Sequence, residues 1–599
     1  MVPDVPAIHR RFDYSVPPAL EPDLRVGSRV RIELHGRRVG AWVVEDGVAG
    51  TAGVQPKPLA GSSGDGPPPG VVSLAEWAAW RWAGPLSSFL GTASPARVVR
   101  GAWNRSDRSS DPAEGAISPV RSPPPASPGG GSVALVDGAL DASGAASGAT
   151  SVIRLAPSLD AVLVVLELIH RLGPAGVLVL VPSSARASQL TSRLRRWGLD
   201  VSLMPDGWDR AASGSTVVVG TRAAAWAPVP RLRGVVVLDA HDEAYREERA
   251  PTWSAVDVLV ERGRRDRSPV VLVSSCPTAS MAEGRTVVTT ARAVERRGWP
   301  LVEIVDRTGD DPRTGLFSER LARRLHAALD RPEGRVVCIL NRKGRARLLA
   351  CAHCGSLATC TRCGGAMAQT PDGSGLRCRR CDEARPPVCA QCDATRLKTL
   401  RIGVTRATEE LSALTGVEAH EVTASSAPSD LAAARLVVGT EAALHRVAHA
   451  DLVAFLDIDQ HLLAARFGAG EETLALLARA SRLVGARDGG GRLLVQTRIP
   501  DHEVLEAAVH ADPTLLLEGE RTIRRSLGLP PFGALALLRG PGAPAYADGV
   551  GAVDGVTVSA LPEEAWLVRT STQADLCDAL ASVPRPPGRL RVEVDPTDV

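Results

Sequence analysis

At 599 residues the chain is longer than one hydrophobic core supports, since single cores stop growing near ~250–300 residues, so several domains are expected. A hydrophobic share of 44% and a mean hydropathy of +0.01 fit a globular chain, and no run of about 18 apolar residues marks a membrane span. The net charge of +3 is too small to imply nucleic acid by itself, so any basic surface has to be local. The opening residues MVPDVPAIHRRFDY lack the apolar core of a secretory signal, and a cytoplasmic location with reduced thiols is expected.

Residues 1–98 read as a small β-rich domain. Arg25 to His35 and Arg38 to Val44 alternate like two half-buried strands, with His35 and Gly36 as the turn. After a Gly/Pro/Ser loop, Leu74 to Ala83 has helical spacing. Ser73 and Glu76 offer a capping box, Trp77 and Trp80 could face a core, and Gly84-Pro85 stops the helix. Residues 99–150 are rich in Ser, Pro, Gly, Ala and Asp. They bury too little to offset ordering entropy and are expected to be a linker.

From 151 to 330 apolar strands alternate with helical stretches. The strands begin near Gly176, Ser215, Gly234 and Pro269, and continuous β-branched runs of this kind indicate a parallel sheet covered on both faces. A second set, near Arg335, Arg435, Leu452 and Arg492, predicts another α/β lobe over 331–519. Residues 520–599 read as a compact α+β domain. Cys276, Cys338 and Cys577 fall in or beside apolar runs, as inert core cysteines do.

The other eight of the 11 cysteines form four CxxC pairs between residues 351 and 392, inserted after the strand at Arg335. Two thiolates two residues apart reach one tetrahedral metal from a tight turn, so four pairs make two zinc sites. Five residues between Cys354 and Cys360 are too few for neighbouring pairs to face each other. The fourteen between Cys363 and Cys378 allow a hairpin with Asp372-Gly373 at its tip. The spacing therefore favours a nested arrangement: Cys360, Cys363, Cys378 and Cys381 in an inner site, Cys351, Cys354, Cys389 and Cys392 in an outer one. Interleaved pairing is the alternative, and a disulfide framework suits short secreted chains rather than this one. Arg362, Arg377, Arg379, Arg380 and Arg385 lie inside the module, as a basic patch or as a solvated surface.

Two lobes carrying Val219-Gly220-Thr221 and Val438-Gly439-Thr440 after apolar strands resemble a superfamily 2 helicase core. The eight-cysteine insertion after Asn341-Arg342-Lys343-Gly344 narrows the resemblance to the PriA family of primosomal replication restart proteins. Gly220 to Pro228, His241 to Tyr245, Leu456 to Asp459 and Leu527 to Phe532 resemble further family segments, and Phe12-Asp13-Tyr14 resembles the start of its N-terminal domain. The fold implied is two RecA-like lobes with an inserted two-zinc module, an N-terminal domain that holds a DNA 3′ end and an α+β C-terminal domain. The resemblance implies that Phe12 and Asp13 hold a terminal nucleotide, the alternative being a structural role at a strand start. Arg31 is a phosphate contact or a solvated strand residue. Asn341, Arg342 and Lys343 lie where single-stranded DNA tracks in such folds.

The family's chemistry is ATP-driven unwinding, and this chain departs from it at three places. A phosphate-binding loop needs glycines and a Lys-Ser/Thr, and its place reads Ile153-Arg-Leu-Ala-Pro-Ser-Leu-Asp-Ala-Val162. The magnesium-binding Asp-Glu-x-His reads Leu238-Asp239-Ala240-His241. Both arginines of the Gly-Arg-x-Gly-Arg segment are replaced, with Arg482 and Arg487 next door. The family's winged helix has only the linker in its interval. A degenerate member, of the kind found in high-GC Gram-positive bacteria, is therefore expected, with no catalytic residue and no ATP or magnesium. Its function would be to recognise stalled or abandoned forks and promote primosome assembly and loading of the replicative helicase. Its partners would be forked and single-stranded DNA, primosome proteins, the replicative helicase or its loader and single-strand-binding protein, at the nucleoid and with no membrane. The alternatives are an ATP-dependent 3′–5′ helicase with altered motifs and a zinc-braced interaction scaffold without DNA binding.

Overall fold

The computed structural model describes residues 1–5, 8, 10–49, 55–102, 131–143, 148–214, 216–310, 315–340, 348–370, 372–399, 404–422, 426, 431 and 433–597. The first lobe is a parallel seven-stranded sheet. Its strands lie side by side in the order Val287–Thr289, Thr150–Arg154, Val270–Ser274, Gly234–Leu238, Val177–Leu180, Val217–Gly220 and Val201–Leu203. The four strands legible as apolar runs form its centre, buried on both faces. On one face Ile153, Val179, Val236 and Val271 pack under the helices Ala161–Leu172 and Ser184–Arg196. On the other, Leu178, Val235 and Leu272 share a core with the helix Ala255–Asp266, with the N-terminal helices and with the C-terminal domain.

That shared core places the N-terminal domain. Its antiparallel strands Arg29–Leu34 and Arg37–Trp42 turn at His35 and Gly36, both in the left-handed region (φ 49° and 77°) that a tight hairpin turn needs. Its helix runs Pro69–Arg81, not from Leu74, with Pro68 before it. Ser73 is inside the helix and accepts from Arg265, and Glu76 pairs with Arg11, so no capping box forms. Proline's fixed φ pre-organises a first turn, and that start outweighs the Ser-x-x-Glu signal. A second helix, Leu86–Ala93, follows. Trp82, at the end of the first helix, and Phe89 of the second pack in series with Trp226 and Trp253 of the first lobe, in tilted and edge-to-face contacts.

The second lobe is a parallel six-stranded sheet in the order Leu301–Asp306, Arg492–Thr497, Leu452–Phe455, Val336–Ile339, Leu436–Gly439 and Ala419–Val422. Three expected boundaries move. Leu301–Asp306, assigned to the first lobe by a boundary at 331, is an edge strand of the second. The helix Glu319–Leu329 buries Leu321 and Leu325 beneath the same sheet, so this lobe begins near residue 301. Glu303 interrupts the apolar run that would have shown the strand; Arg324 and Arg492 hold its buried carboxylate at 2.9 and 3.0 Å. Within the expected linker, Gly131–Ser143 is a helix whose Leu135, Val136 and Ala139 are buried in the first lobe, while residues 103–130 lie outside the described residues. At the other end, Thr514–Leu527 is a helix packed on the lobes through Leu516 and Leu517. The C-terminal antiparallel sheet starts at Ala534 rather than 520, in the order Thr557–Leu561, Ala565–Thr570, Ala534–Arg539 and Arg591–Val594. Among the described residues no helix is long and apolar enough to cross a membrane.

Candidate functional site

The cysteine module is built from short strands. Leu349–Cys351 pairs with Leu397–Thr399, and Met367–Gln369, Leu376–Cys378 and Ala384–Arg385 form a small antiparallel sheet. Its eight thiols are free and fall into two groups, Cys351, Cys354, Cys389 and Cys392, and Cys360, Cys363, Cys378 and Cys381. This is the nested grouping, not the interleaved one. Sulfur–sulfur separations are 3.6 Å for Cys351–Cys392 and Cys354–Cys389, and 3.5 Å for Cys360–Cys381 and Cys363–Cys378. A tetrahedral ion bonded to sulfur at ~2.3 Å would hold its ligands roughly 3.8 Å apart, so each group fits a metal of zinc's size and sulfur preference. The backbone N–H groups of His353, Arg362, Arg380 and Gln391 each donate to the sulfur two residues before them, at 3.4 Å, as thiolate ligands in tight turns require. A core of Leu349, Ala358, Met367 and Leu376 braces the module, and Arg498 of the second lobe donates to Gly355 O at 3.4 Å. Of the arginines inside it, Arg362, Arg377, Arg379 and Arg380 are exposed, Arg377 pairs with Asp382 at 3.1 Å, and Arg385 turns inward to Val388 O.

At the N-terminal face, Phe12 is half-buried and Asp13 exposed. The Met1 ammonium donates to Phe12 O at 2.9 Å, and the Arg10 guanidinium lies 4.7 Å above the Phe12 ring. Arg31 points outward from its strand and is exposed. Asn341, Arg342 and Lys343 lie outside the described residues.

The third element is the cleft between the lobes, where a nucleotide would sit in a motor. The loop from Leu155 to Asp160 lines a cavity of about 330 Å³ together with Arg186, Arg193, Asp239 and Arg482. It presents side chains where a phosphate loop presents bare backbone. Asp160 caps the helix Ala161–Leu172 by accepting from Val162 N at 3.1 Å, and the same carboxylate pairs with Arg193. Asp239, at the end of its strand with φ 52°, turns back into the cavity and is held by Arg186 and by Arg482, the latter at 3.1 Å. Burial alone would raise the pKa of this carboxyl, but the two guanidiniums outweigh it and hold Asp239 well below the usual carboxylate range. His241 accepts from or donates to Ser274 Oγ at 2.8 Å, and burial pushes its imidazole down to about 4, so it is neutral at physiological pH.

Arg482 belongs to the helix Ala469–Val484 of the second lobe, so its pair with Asp239 crosses the cleft. It also donates to Pro157 O at 3.3 Å, and Arg479 reaches Asp242 at 2.7 Å. Glu471 accepts from Ala279 N at 2.6 Å and pairs with Arg524 at the same distance. Arg487, the other arginine singled out in the sequence, instead lies against Pro300 O at 3.5 Å. Sequence reasoning missed Asp160, Arg186 and Arg193. Asp-x-x at a helix start was a visible cap signal, but no spacing ties positions 186 and 193 to 160 and 239.

Residues 2–95 match the family model of the PriA 3′ DNA-binding domain (3′BD). A probable replication restart protein PriA of Mycobacterium tuberculosis is 29% identical over 99% of this chain and 92% of its own length. The replication restart protein PriA of Bacillus subtilis is 26% identical over 60% of this chain and 49% of its own length, and that of Synechocystis 28% identical over 62% and 50%. The match thus spans about half the length of these last two relatives. Residues 2–95 thus match a PriA 3′ DNA-binding domain, two cysteine quartets follow in the second lobe, and the chain as a whole is similar to relatives named as PriA replication restart proteins.

Proposed function

We propose that this protein recognises stalled or abandoned replication forks, nucleates primosome assembly and favours loading of the replicative helicase, without unwinding DNA by ATP hydrolysis. The single observation that carries the second half is Asp239. The acidic residue nearest the place of a magnesium ligand is already neutralised by Arg186 and Arg482. A loop without glycine or lysine faces it, so neither the phosphates nor the metal finds its ordinary partners. The first half is supported by the matching 3′ DNA-binding domain and by a cysteine module that projects exposed arginines from the second lobe. In this reading both quartets hold zinc. Phe12 and Asp13 hold the terminal nucleotide and Arg31 a phosphate. Asn341, Arg342 and Lys343 contact single-stranded DNA, and the partners are primosome proteins, the replicative helicase or its loader, and single-strand-binding protein. The protein acts in the cytoplasm, at the nucleoid.

Fork binding by fluorescence anisotropy tests it. The full chain is expected to prefer a fork with a free 3′ end over one without, with affinity falling as salt rises because phosphate contacts release counterions. Phe12→Ala should lose roughly 5- to 150-fold for the fork with the 3′ end, the worth of one stacked base. Equal affinity for both forks, or no binding at low salt, would exclude the reading.

A further inference from the structure

We propose that the chain's own carboxylates, Asp160 and Asp239, take the anion positions of the cleft and, through Arg482, hold the two lobes together with no ligand between them. Three guanidiniums converge on this cavity, which in an ordinary protein would mark a phosphate site. Here each already has an internal carboxylate partner: Arg193 on Asp160, Arg186 and Arg482 on Asp239. Asp160 also caps the N-terminus of Ala161–Leu172, the position whose free N–H groups would otherwise attract a phosphate. The substitution is therefore chemical as well as spatial: a side-chain carboxylate stands where an external oxyanion would.

The consequence is mechanical. In a motor the ligand bridges the lobes and its loss lets them part. Here the bridge is covalently part of the chain, since Asp239 comes from the first lobe and Arg482 from the second. The surroundings reinforce it. Arg479 on Asp242 and Glu471 on Ala279 N cross the same cleft, and Ala156 and Cys276 of the first lobe are buried in the second lobe's core. Asp239 is 8% exposed and Arg482 33%, so the pair is screened much less than a surface pair. The lobes are thus fixed in one relative position whatever the nucleotide concentration, which suits a platform that must present its DNA-binding domain and cysteine module in constant geometry.

The inference rests on reading the cleft as a site without nucleotide, and its test separates the two. The full chain is melted with and without inorganic pyrophosphate, beside Asp239→Asn and Arg482→Gln. Wild type should show no pyrophosphate-dependent shift at millimolar concentration. Asp239→Asn removes one charge at constant shape, and should lower Tm by roughly 6–15 °C and then recover several degrees, saturably, as pyrophosphate fills the uncovered arginines. Arg482→Gln should lower Tm comparably but gain little from pyrophosphate, having lost the bridging cation. It also serves where Asp239→Asn does not fold. A wild-type Tm that rises with pyrophosphate would overturn the proposal, as would an Asp239→Asn Tm equal to wild type or a destabilised Asp239→Asn that pyrophosphate leaves unchanged. A failure here with ATP turnover still absent would sink the carboxylate bridge and leave the proposed function standing.

Discussion

Replacing Cys360, Cys363, Cys378 and Cys381 together by serine is expected to lower bound metal from two ions per chain to one, leaving both lobes folded. The expectation follows from the grouping of the sulfurs: all four belong to one cluster, and none belongs to the other. Interleaved pairing would put two of them in each site, and the same variant would then lose both ions. Serine is a poor ligand for a soft, thiolate-bound ion. The energy lost with a structural zinc is large, about 10–16 kcal/mol in small zinc-folded peptides at neutral pH. The module's own apolar core is small, with Leu376 and Met367 its main buried side chains, so the hairpin from Met367 to Cys378 should lose its order. The lobes have cores of Val, Leu and Ile separate from the module's and should keep their melting transition. Metal content by elemental analysis and circular dichroism on one preparation check both halves. Cys338→Ser, at a buried thiol within a lobe strand, is the control and should leave two ions per chain.

Trp226→Ala should have the second largest effect. Its ring is 1% exposed and lies between Phe89, at 5.8 Å, and Trp253, at 5.5 Å, so it joins the N-terminal helices to the first lobe. Deleting a buried indole costs about 3–5 kcal/mol through lost transfer energy and the cavity left behind. For a unit of this size that corresponds to a fall in Tm of roughly 6–15 °C. The indole N–H has no hydrogen-bond partner among the described residues, so Trp226→Phe, which keeps an aromatic ring in place, should cost much less. A small effect of Trp226→Ala would mean that the N-terminal helices and the lobe do not share the core described. Because the chain has several units, the transition to follow is the one that also releases Trp fluorescence, not a single global unfolding.

What could be read from the sequence depended on whether the signal was local. The central strands of both sheets announced themselves as unbroken apolar runs such as Val217–Gly220 and Leu436–Gly439, buried on every residue. The His35-Gly36 turn and the four CxxC pairs were equally legible, because turn backbone and tetrahedral ligation impose short, fixed spacings. Edge strands were not: Leu301–Asp306 carries a buried Glu303 that is tolerated only because three arginines from elsewhere in the second lobe surround it. The helix Gly131–Ser143 was hidden by its Gly- and Ser-rich flanks, and its three buried side chains matter only once the first sheet is present. That residues 153–162 carry neither glycine nor lysine could be seen in the sequence, but not what lines the cleft around them. Arg482 and Asp239 are 243 positions apart, and only the packing of one lobe on the other brings them together.

ATP turnover by the full chain, with magnesium and a saturating fork carrying a free 3′ end, tests the central claim most directly. The cleft as built, with Asp239 held by two arginines and no lysine in the loop from Leu155 to Asp160, predicts phosphate release indistinguishable from a protein-free blank while the same sample binds the fork. DNA-stimulated hydrolysis at about 1 per second or faster, the pace of ordinary enzymes, would contradict it.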